Sequence, residues 1–197
     1  MSLGERSLPV HPRLVVLGYS EATMFLRRTP RPQVAAIISI HGRHEFGVEA
    51  DVPRRLDLTF DDVEVARETN VMSLLRKFAR MRAAKQDGRL ETPPCAMDAQ
   101  KIIGFAQSLP GNVPADGIVL CHCTAGISRS TAAGLICLAT WRGPGAEADC
   151  VAEVIRIRRA AAPHADLVRF ADDLLGRKGK LVDALVAARR RGGDAGE

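Results

Sequence analysis

A short apolar strand, a loop of small residues and the start of a helix meet in Val119-Leu120-Cys121-His122-Cys123-Thr124-Ala125-Gly126-Ile127-Ser128-Arg129-Ser130-Thr131. Residues 117–121 are predicted to form a buried strand, and a helix is predicted to begin near Ser128 or Arg129. A tight loop at a helix N-terminus turns successive backbone N–H groups inward, where they can hold phosphate oxygens. The planar guanidinium of Arg129 can hold two more such contacts. The stretch therefore predicts an anion site at the end of a strand.

The thiol of Cys123 would face the same positive field. Backbone N–H dipoles, the start of a helix and the guanidinium of Arg129 all favour a thiolate over a thiol. A thiolate beneath a bound phosphoryl group is a nucleophile for in-line displacement. The alternative, an inert buried thiol, fits Cys123 taken alone but not Cys123 together with Arg129 and Ser130.

The run from His122 to Ser130 resembles the His-Cys-x5-Arg-Ser/Thr signature of the cysteine-dependent protein tyrosine phosphatase superfamily. It is most similar to the dual-specificity branch of that superfamily, and it resembles a bacterial-type tyrosine phosphatase. The resemblance implies that Cys123 forms a cysteinyl-phosphate, that Arg129 grips the phosphate and that Ser130 assists release of the thiolate. His122 would support the loop without touching substrate. The residues implied to surround the phosphate are Thr124, Ala125, Gly126, Ile127, Ser128 and Arg129.

A candidate general acid follows the predicted strand that ends in Leu58-Thr59-Phe60. The leaving oxygen of a phosphate ester needs a proton donor, and Asp61 and Asp62 stand where they resemble the family's acid loop. Because alternate side chains of a strand share a face, Asp62 would follow Phe60 inward and act as the acid. Asp61 would point away and support it. The alternative is that both residues only cap the helix that follows.

Strands and helices alternate along the chain. Strands are predicted at 14–17, 34–40 and 54–60, and helices at 20–28, 96–109, 128–139, 146–160, 166–175 and 179–191. This alternation predicts an α/β fold with a mostly parallel central sheet flanked by helices, like that of tyrosine and dual-specificity phosphatases. Ser20 is predicted to cap the first helix. One domain is predicted over 1–191, with its core at about 14–175 and a flexible tail at 192–197.

A basic helix predicted at 63–87 separates Asp62 from the signature. Asp62 lies 61 residues before Cys123, which is longer than the family's compact dual-specificity members, so the helix is interpreted as an insertion. Six basic residues lie between Arg76 and Arg89. We expect this helix to border the site and to favour acidic or phosphorylated substrates.

Composition narrows the class of protein and its partners. The chain has 197 residues, of which 46% are hydrophobic and 26% charged, as in an ordinary globular protein. The net charge of +5 favours anionic partners, but one Trp and one Tyr argue against a stacking platform for nucleic acid. No apolar stretch approaches the roughly 18 residues of a membrane span. Five Cys, an odd number, and no secretory signal predict reduced thiols and a cytoplasmic location.

We expect a phosphorylated protein as substrate, with no cofactor and no metal. The Cys-His-Cys run at 121–123 does not suit zinc, because neighbours on a strand point to opposite faces. Two alternatives stay open: a phosphatase for phosphoinositides, inositol phosphates or RNA 5′-phosphates, and a pseudophosphatase that binds phosphate without hydrolysis. Lipid-specific relatives often place Lys in the loop, so Ala125 and Ile127 favour a phosphoprotein.

One histidine and three cysteines outside these motifs also have predicted roles. His164 stands where the dual-specificity pattern resembles an Asn that braces the phosphate loop. It either substitutes for that Asn through a ring nitrogen or is merely structural. Cys121, Cys137 and Cys150 are interpreted as core residues.

Overall fold

In the part of the chain that the structure describes, four short strands form a parallel sheet in the order β1-β4-β2-β3. The strands are β1 (Arg13–Gly18), β2 (Val34–His41), β3 (Arg55–Thr59) and β4 (Ile118–Cys123). The computed structural model that gives this fold describes residues 11–30, 33–63, 91–114 and 116–193. Since all neighbouring pairs are parallel, the carboxyl ends of the strands lie along one edge of the sheet. β4 pairs with both β1 and β2, so Cys123 emerges in the interior of that edge.

Six helices complete the described part of the chain. They are α1 (Tyr19–Arg28), α2 (Ala96–Gln107), α3 (Arg129–Arg142), α4 (Glu147–Ile157), α5 (Ala165–Leu174) and α6 (Lys180–Gly193). The predicted α/β class, with a mostly parallel sheet flanked by helices, is confirmed, and the sheet is parallel throughout. No helix of the described residues is long and apolar enough to cross a lipid bilayer.

Both faces of the sheet are covered, which is why all six residues of β4 are buried. On the larger face, α3 packs against α2, α4 and α5 and is buried along nearly its whole length. On the other face, α1 contributes Ala22 and the segment after β2 contributes Val48. Core packing therefore fixes the positions of β4 and α3, the two elements that flank the loop at 123–129.

Several predicted boundaries move in the structure. Ser20 is not the helix cap: α1 already begins at Tyr19, because the Glu21 carboxylate accepts the backbone N–H of Gly18 at 2.8 Å. α3 continues three residues past its predicted end at 139, to Arg142. α6 runs to Gly193, into the region predicted as a tail. The predicted basic helix at 63–87, beyond residue 63, and the rest of the predicted tail lie outside the described residues.

Candidate active site

The loop at 123–129, which we call the phosphate loop, joins the end of β4 to the start of α3. Cys123 is 2% exposed at its base. The backbone N–H of Gly126 donates to Cys123 Sγ at 3.3 Å, and the Ser130 hydroxyl lies 3.2 Å from the same sulfur. Gly126 has a φ of 72°, and a Cβ there would collide with the backbone of Leu17 and Gly18. Only glycine therefore fits at the point where the loop turns over the sulfur.

The carbonyl groups of the phosphate loop are held outward by neighbouring segments. Thr124 O accepts the backbone N–H of Tyr19 at 3.0 Å, Ile127 O accepts that of Ala162 at 2.9 Å, and Ser128 O accepts that of His164 at 3.3 Å. In a trans peptide the C=O and the next N–H point in opposite directions. The N–H groups that follow these carbonyls therefore point into the loop, which is the arrangement that binds an anion.

Arg129 begins α3 and is 4% exposed. Its Nη1 donates to Glu45 Oε2 at 2.8 Å and to Phe60 O at 3.1 Å, while Nη2 donates to Glu45 Oε1 at 3.3 Å and to Thr124 Oγ1 at 3.1 Å. Burial alone would lower the pKa of Arg129, but the hydrogen bond to Glu45 and the neighbouring negative charges, chiefly that of Glu45, together outweigh burial and raise the pKa. The guanidinium is thus a permanent charge held in one plane by two residues on other loops.

Glu45 is a site residue that the sequence did not reveal. Its loop follows β2, and the backbone N–H of Gly42 donates to its Oε2 at 2.6 Å. Burial alone would raise the pKa of Glu45, but hydrogen bonds from Arg129, Gly42 and Thr124 lower it to about 2. Only the strand order, which places β2 next to β4, brings Glu45 to Arg129. A carboxylate in the loop after a buried strand was the one available signal.

The two candidate acids occupy different positions. Asp62 lies at the rim of the phosphate loop, where its Oδ1 accepts the Ser128 hydroxyl at 2.6 Å and its side chain is 42% exposed. Asp61 faces the other way: its carboxylate accepts the backbone N–H of Thr92 at 2.7 Å, and its own N–H donates to Thr92 O at 2.7 Å. The Asp62 carboxylate thus lies at the mouth of the phosphate loop, and Asp61 anchors the loop that follows β3.

Two histidines, His122 and His164, lie next to the phosphate loop. The backbone N–H of His164 donates to Ser128 O in the phosphate loop, whereas neither of its buried ring nitrogens has a hydrogen-bond partner, and Nε2 lies 3.9 Å from Asp62 Oδ1. Burial, assisted by the nearby Arg55 guanidinium, lowers the pKa of His122 to about 4. His122 is therefore neutral near neutral pH, and it adds no positive charge beside Cys123.

The other three core cysteines are free, buried thiols. A hydrogen bond with Cys137, together with burial, raises the pKa of Cys121 well above its ordinary value. Burial raises the pKa of Cys150 to about 11. Both thiols are therefore protonated at neutral pH and unreactive. No group of three or more metal-ligating side chains occurs among the described residues.

Searches against family models and against curated proteins gave no match to this sequence. Solved structures do match. PTPMT1 in complex with PI(5)P is 14% identical and aligns with a TM-score of 0.51 over 89% of this chain and 97% of its own. Human DUSP28 is 20% identical, with a TM-score of 0.46 over 85% and 93%. A mouse putative dual specificity phosphatase complexed with zinc tungstate is also 20% identical, with a TM-score of 0.46 over 93% and 98%. The chain has the fold of the cysteine-dependent tyrosine and dual-specificity phosphatases.

Proposed function

We propose that this protein is a phosphatase that hydrolyses phosphate monoesters on tyrosine, serine or threonine side chains through a cysteinyl-phosphate intermediate. One observation carries the proposal. A buried thiol and a buried guanidinium stand at opposite ends of a loop whose N–H groups point inward, and a carboxylate lies at its rim. Anion binding, nucleophilic attack and proton transfer all have a side chain in place.

In the first step, the Cys123 thiolate attacks phosphorus and the bond from phosphorus to the ester oxygen breaks. The N–H groups of the phosphate loop and the edge of Arg129 formed by Nε and Nη2 would hold the three non-bridging oxygens as their charge redistributes. Arg129 Nε is buried without a hydrogen-bond partner, and Nη2 would exchange its contact with Thr124 Oγ1 for one with the phosphate. Asp62 gives its proton to the leaving oxygen, so the product leaves as a neutral alcohol or phenol. Because Ser128 occupies Oδ1 of Asp62, the other oxygen, Oδ2, would carry that proton.

In the second step, water attacks the phosphorus of the cysteinyl-phosphate and gives a proton to Asp62. The phosphorus–sulfur bond breaks, and inorganic phosphate is released. The departing sulfur regains a negative charge beside the Ser130 hydroxyl, 3.2 Å away, and the Gly126 N–H. These two donors lower the energy of the thiolate as a leaving group. Asp62 donates one proton in the first step and regains one from water in the second step.

A phosphorylated protein is the substrate class that we favour, since Ala125 and Ile127 occupy the exposed rim of the loop without adding positive charge. A phosphoinositide is the second candidate, because PTPMT1 has the same fold and its structure holds PI(5)P. A cytoplasmic location is part of the proposal, because three buried free thiols and a catalytic thiolate suit a reducing compartment.

Release of inorganic phosphate tests the proposal. The wild-type protein should hydrolyse para-nitrophenyl phosphate and phosphotyrosyl or phosphoseryl peptides faster than PI(5)P in detergent micelles. Arg129→Lys, which keeps the charge but loses the two-pronged contact, should weaken binding and slow turnover. Faster turnover of PI(5)P would establish the lipid alternative instead.

The same assay separates a catalyst from a binding module. A protein that binds phosphopeptides but releases no phosphate from any of these substrates would be a pseudophosphatase. If Arg129→Lys altered neither binding nor turnover, phosphate would bind elsewhere and the proposed site would be wrong.

A further inference from the structure

We infer that Arg158 is a positioning residue of the phosphate loop: it holds the peptide between Ala125 and Gly126 so that the Gly126 N–H points at the Cys123 sulfur. Arg158 follows the last residue of α4 and is not part of the signature. The inference rests on the proposed function only in taking Cys123 as the nucleophile.

The geometry of one peptide unit carries the inference. Arg158 Nη2 donates to Ala125 O at 3.3 Å on the outer side of the loop. The N–H of the same peptide belongs to Gly126 and donates to Cys123 Sγ at 3.3 Å on the inner side. Because this peptide is trans, a bond that fixes its carbonyl outward also fixes its N–H inward. A contact at the surface therefore sets a contact at the nucleophile.

The same peptide is the one most able to turn. Gly126 has no Cβ and adopts a φ of 72°, so its backbone has more freedom than that of any other loop residue. The outward carbonyls of Thr124, Ile127 and Ser128 accept backbone N–H groups, which substitutions do not remove. Ala125 O depends on a side chain. Arg158 thus supplies the restraint where the backbone supplies least.

Glu21 of α1 holds Arg158 in place. Its Oε1 accepts Arg158 Nη1 at 2.8 Å, and its Oε2 accepts the backbone N–H of Gly18 at 2.8 Å. The hydrogen bond from Arg158 lowers the pKa of Glu21, so the carboxylate stays charged throughout the neutral range. Gly18 itself lies against the loop, where a Cβ would come within 3.1 Å of Ala125 O. Glu21, Arg158 and Ala125 therefore form a brace across the outside of the loop.

Alkylation of Cys123 tests this role without requiring turnover. The rate of reaction with iodoacetamide would be followed against pH by mass spectrometry of the Cys123 peptide, alongside binding of orthovanadate. Arg158→Met keeps the aliphatic stem but removes both donors. We expect it to raise the pH midpoint of alkylation by about one unit and to weaken vanadate binding about ten-fold. Arg158→Lys keeps the charge but not the fork, and should recover only part of this loss.

A matched control separates geometry from charge. Arg159 is the exposed neighbour of Arg158 in the sequence, so Arg159→Met removes an equal charge at the adjacent position. It should leave both measurements near the wild-type values. Arg129, which interacts electrostatically with Cys123, is unchanged in every variant, and so are the two carboxylates beside it, those of Glu45 and Asp62.

Each outcome decides the inference. A folded Arg158→Met protein with unchanged alkylation and vanadate binding would overturn it, and so would equal shifts in Arg158→Met and Arg159→Met. If Arg158→Met does not fold, Glu21→Gln takes its place and should give a smaller shift of the same sign; no shift would overturn the inference. Absence of phosphatase turnover in every variant, with the alkylation shift present, would refute the proposed function and leave the role of Arg158 standing.

Discussion

The middle of β4 and its carboxyl end each bury a thiol on the same face of the sheet, yet the two thiols have different surroundings. Cys121 is 0% exposed and Cys123 is 2% exposed. The partner of Cys121 is another thiol, that of Cys137, and its pKa is raised well above the ordinary value. Cys123 has an N–H group and a hydroxyl within 3.3 Å. Burial is shared, so the dipoles of the loop and the charge of Arg129, which act at the strand end, would account for a difference in reactivity.

The largest effect should come from exchanging each sulfur in turn. Cys123→Ser should lower turnover of phosphate esters by roughly 10⁴-fold or more, since a serine hydroxyl is not ionised at neutral pH. Cys121→Ala should leave the rate of the folded protein near that of the wild type. Steady-state release of phosphate measures both. Substantial activity in Cys123→Ser would mean that the thiol at the carboxyl end of β4 is as dispensable as the thiol in its middle.

The next effect concerns Asp62, the proposed general acid. Asp62→Asn should slow hydrolysis of a substrate with a poor leaving group by roughly 10²–10⁴-fold. An activated aryl phosphate, whose leaving oxygen scarcely needs a proton, should be affected much less. Asp61→Asn is the matched control, and rates on paired substrates of different leaving-group pKa give the comparison. If the leaving-group-dependent loss appeared in Asp61→Asn instead, the two roles would be reversed.

A smaller effect is expected from Glu45, which orients the charge over the strand end. Its pKa of about 2 means that its ion pair with Arg129 is complete above the ordinary carboxyl range and is lost only as pH falls towards 2. Glu45→Gln should therefore reduce turnover about ten-fold at every pH from about 4 upward. The acidic midpoint of the pH–rate profile should not move. A shifted midpoint would mean that Glu45 itself titrates during catalysis.

The smallest effect on catalysis, but a measurable one on stability, should come from His122, which lies between the two thiols. Its pKa falls from 6.5 in the unfolded chain to about 4 in the folded protein. Between pH 6.5 and pH 4 only the unfolded chain gains a proton at this histidine. The free energy of unfolding therefore decreases as the pH is lowered through this range, by about 3 kcal/mol in total.

His122→Gln should lose this part of the pH dependence. Urea unfolding of both proteins at about pH 7 and about pH 4.5 measures the difference. An equal pH dependence in the two proteins would contradict a buried, neutral histidine.

The features that the sequence predicted depend on neighbouring residues, whereas the contacts that it missed join residues far apart in the chain. The strand, loop and helix around Cys123 could be predicted because apolar runs and small residues determine them within a few positions. The alternation that separates Asp61 from Asp62 is local in the same sense. Glu45 and Arg158 could not be found, because they reach the loop only through the strand order and the packing of α4. Ser20 was a wrong cap because Glu21 reached back one turn to Gly18.

The close approach of Gly126 to Gly18 limits how the substrate preference of this scaffold can evolve. A side chain at position 126 would have to displace the end of β1, so that position is closed to variation. Ala125 and Ile127, on either side, are exposed and can change without moving the backbone. Under the proposed function, selection for a different phosphate ester would therefore act through these two neighbours, and lysine at either one would add positive charge at the rim of the loop.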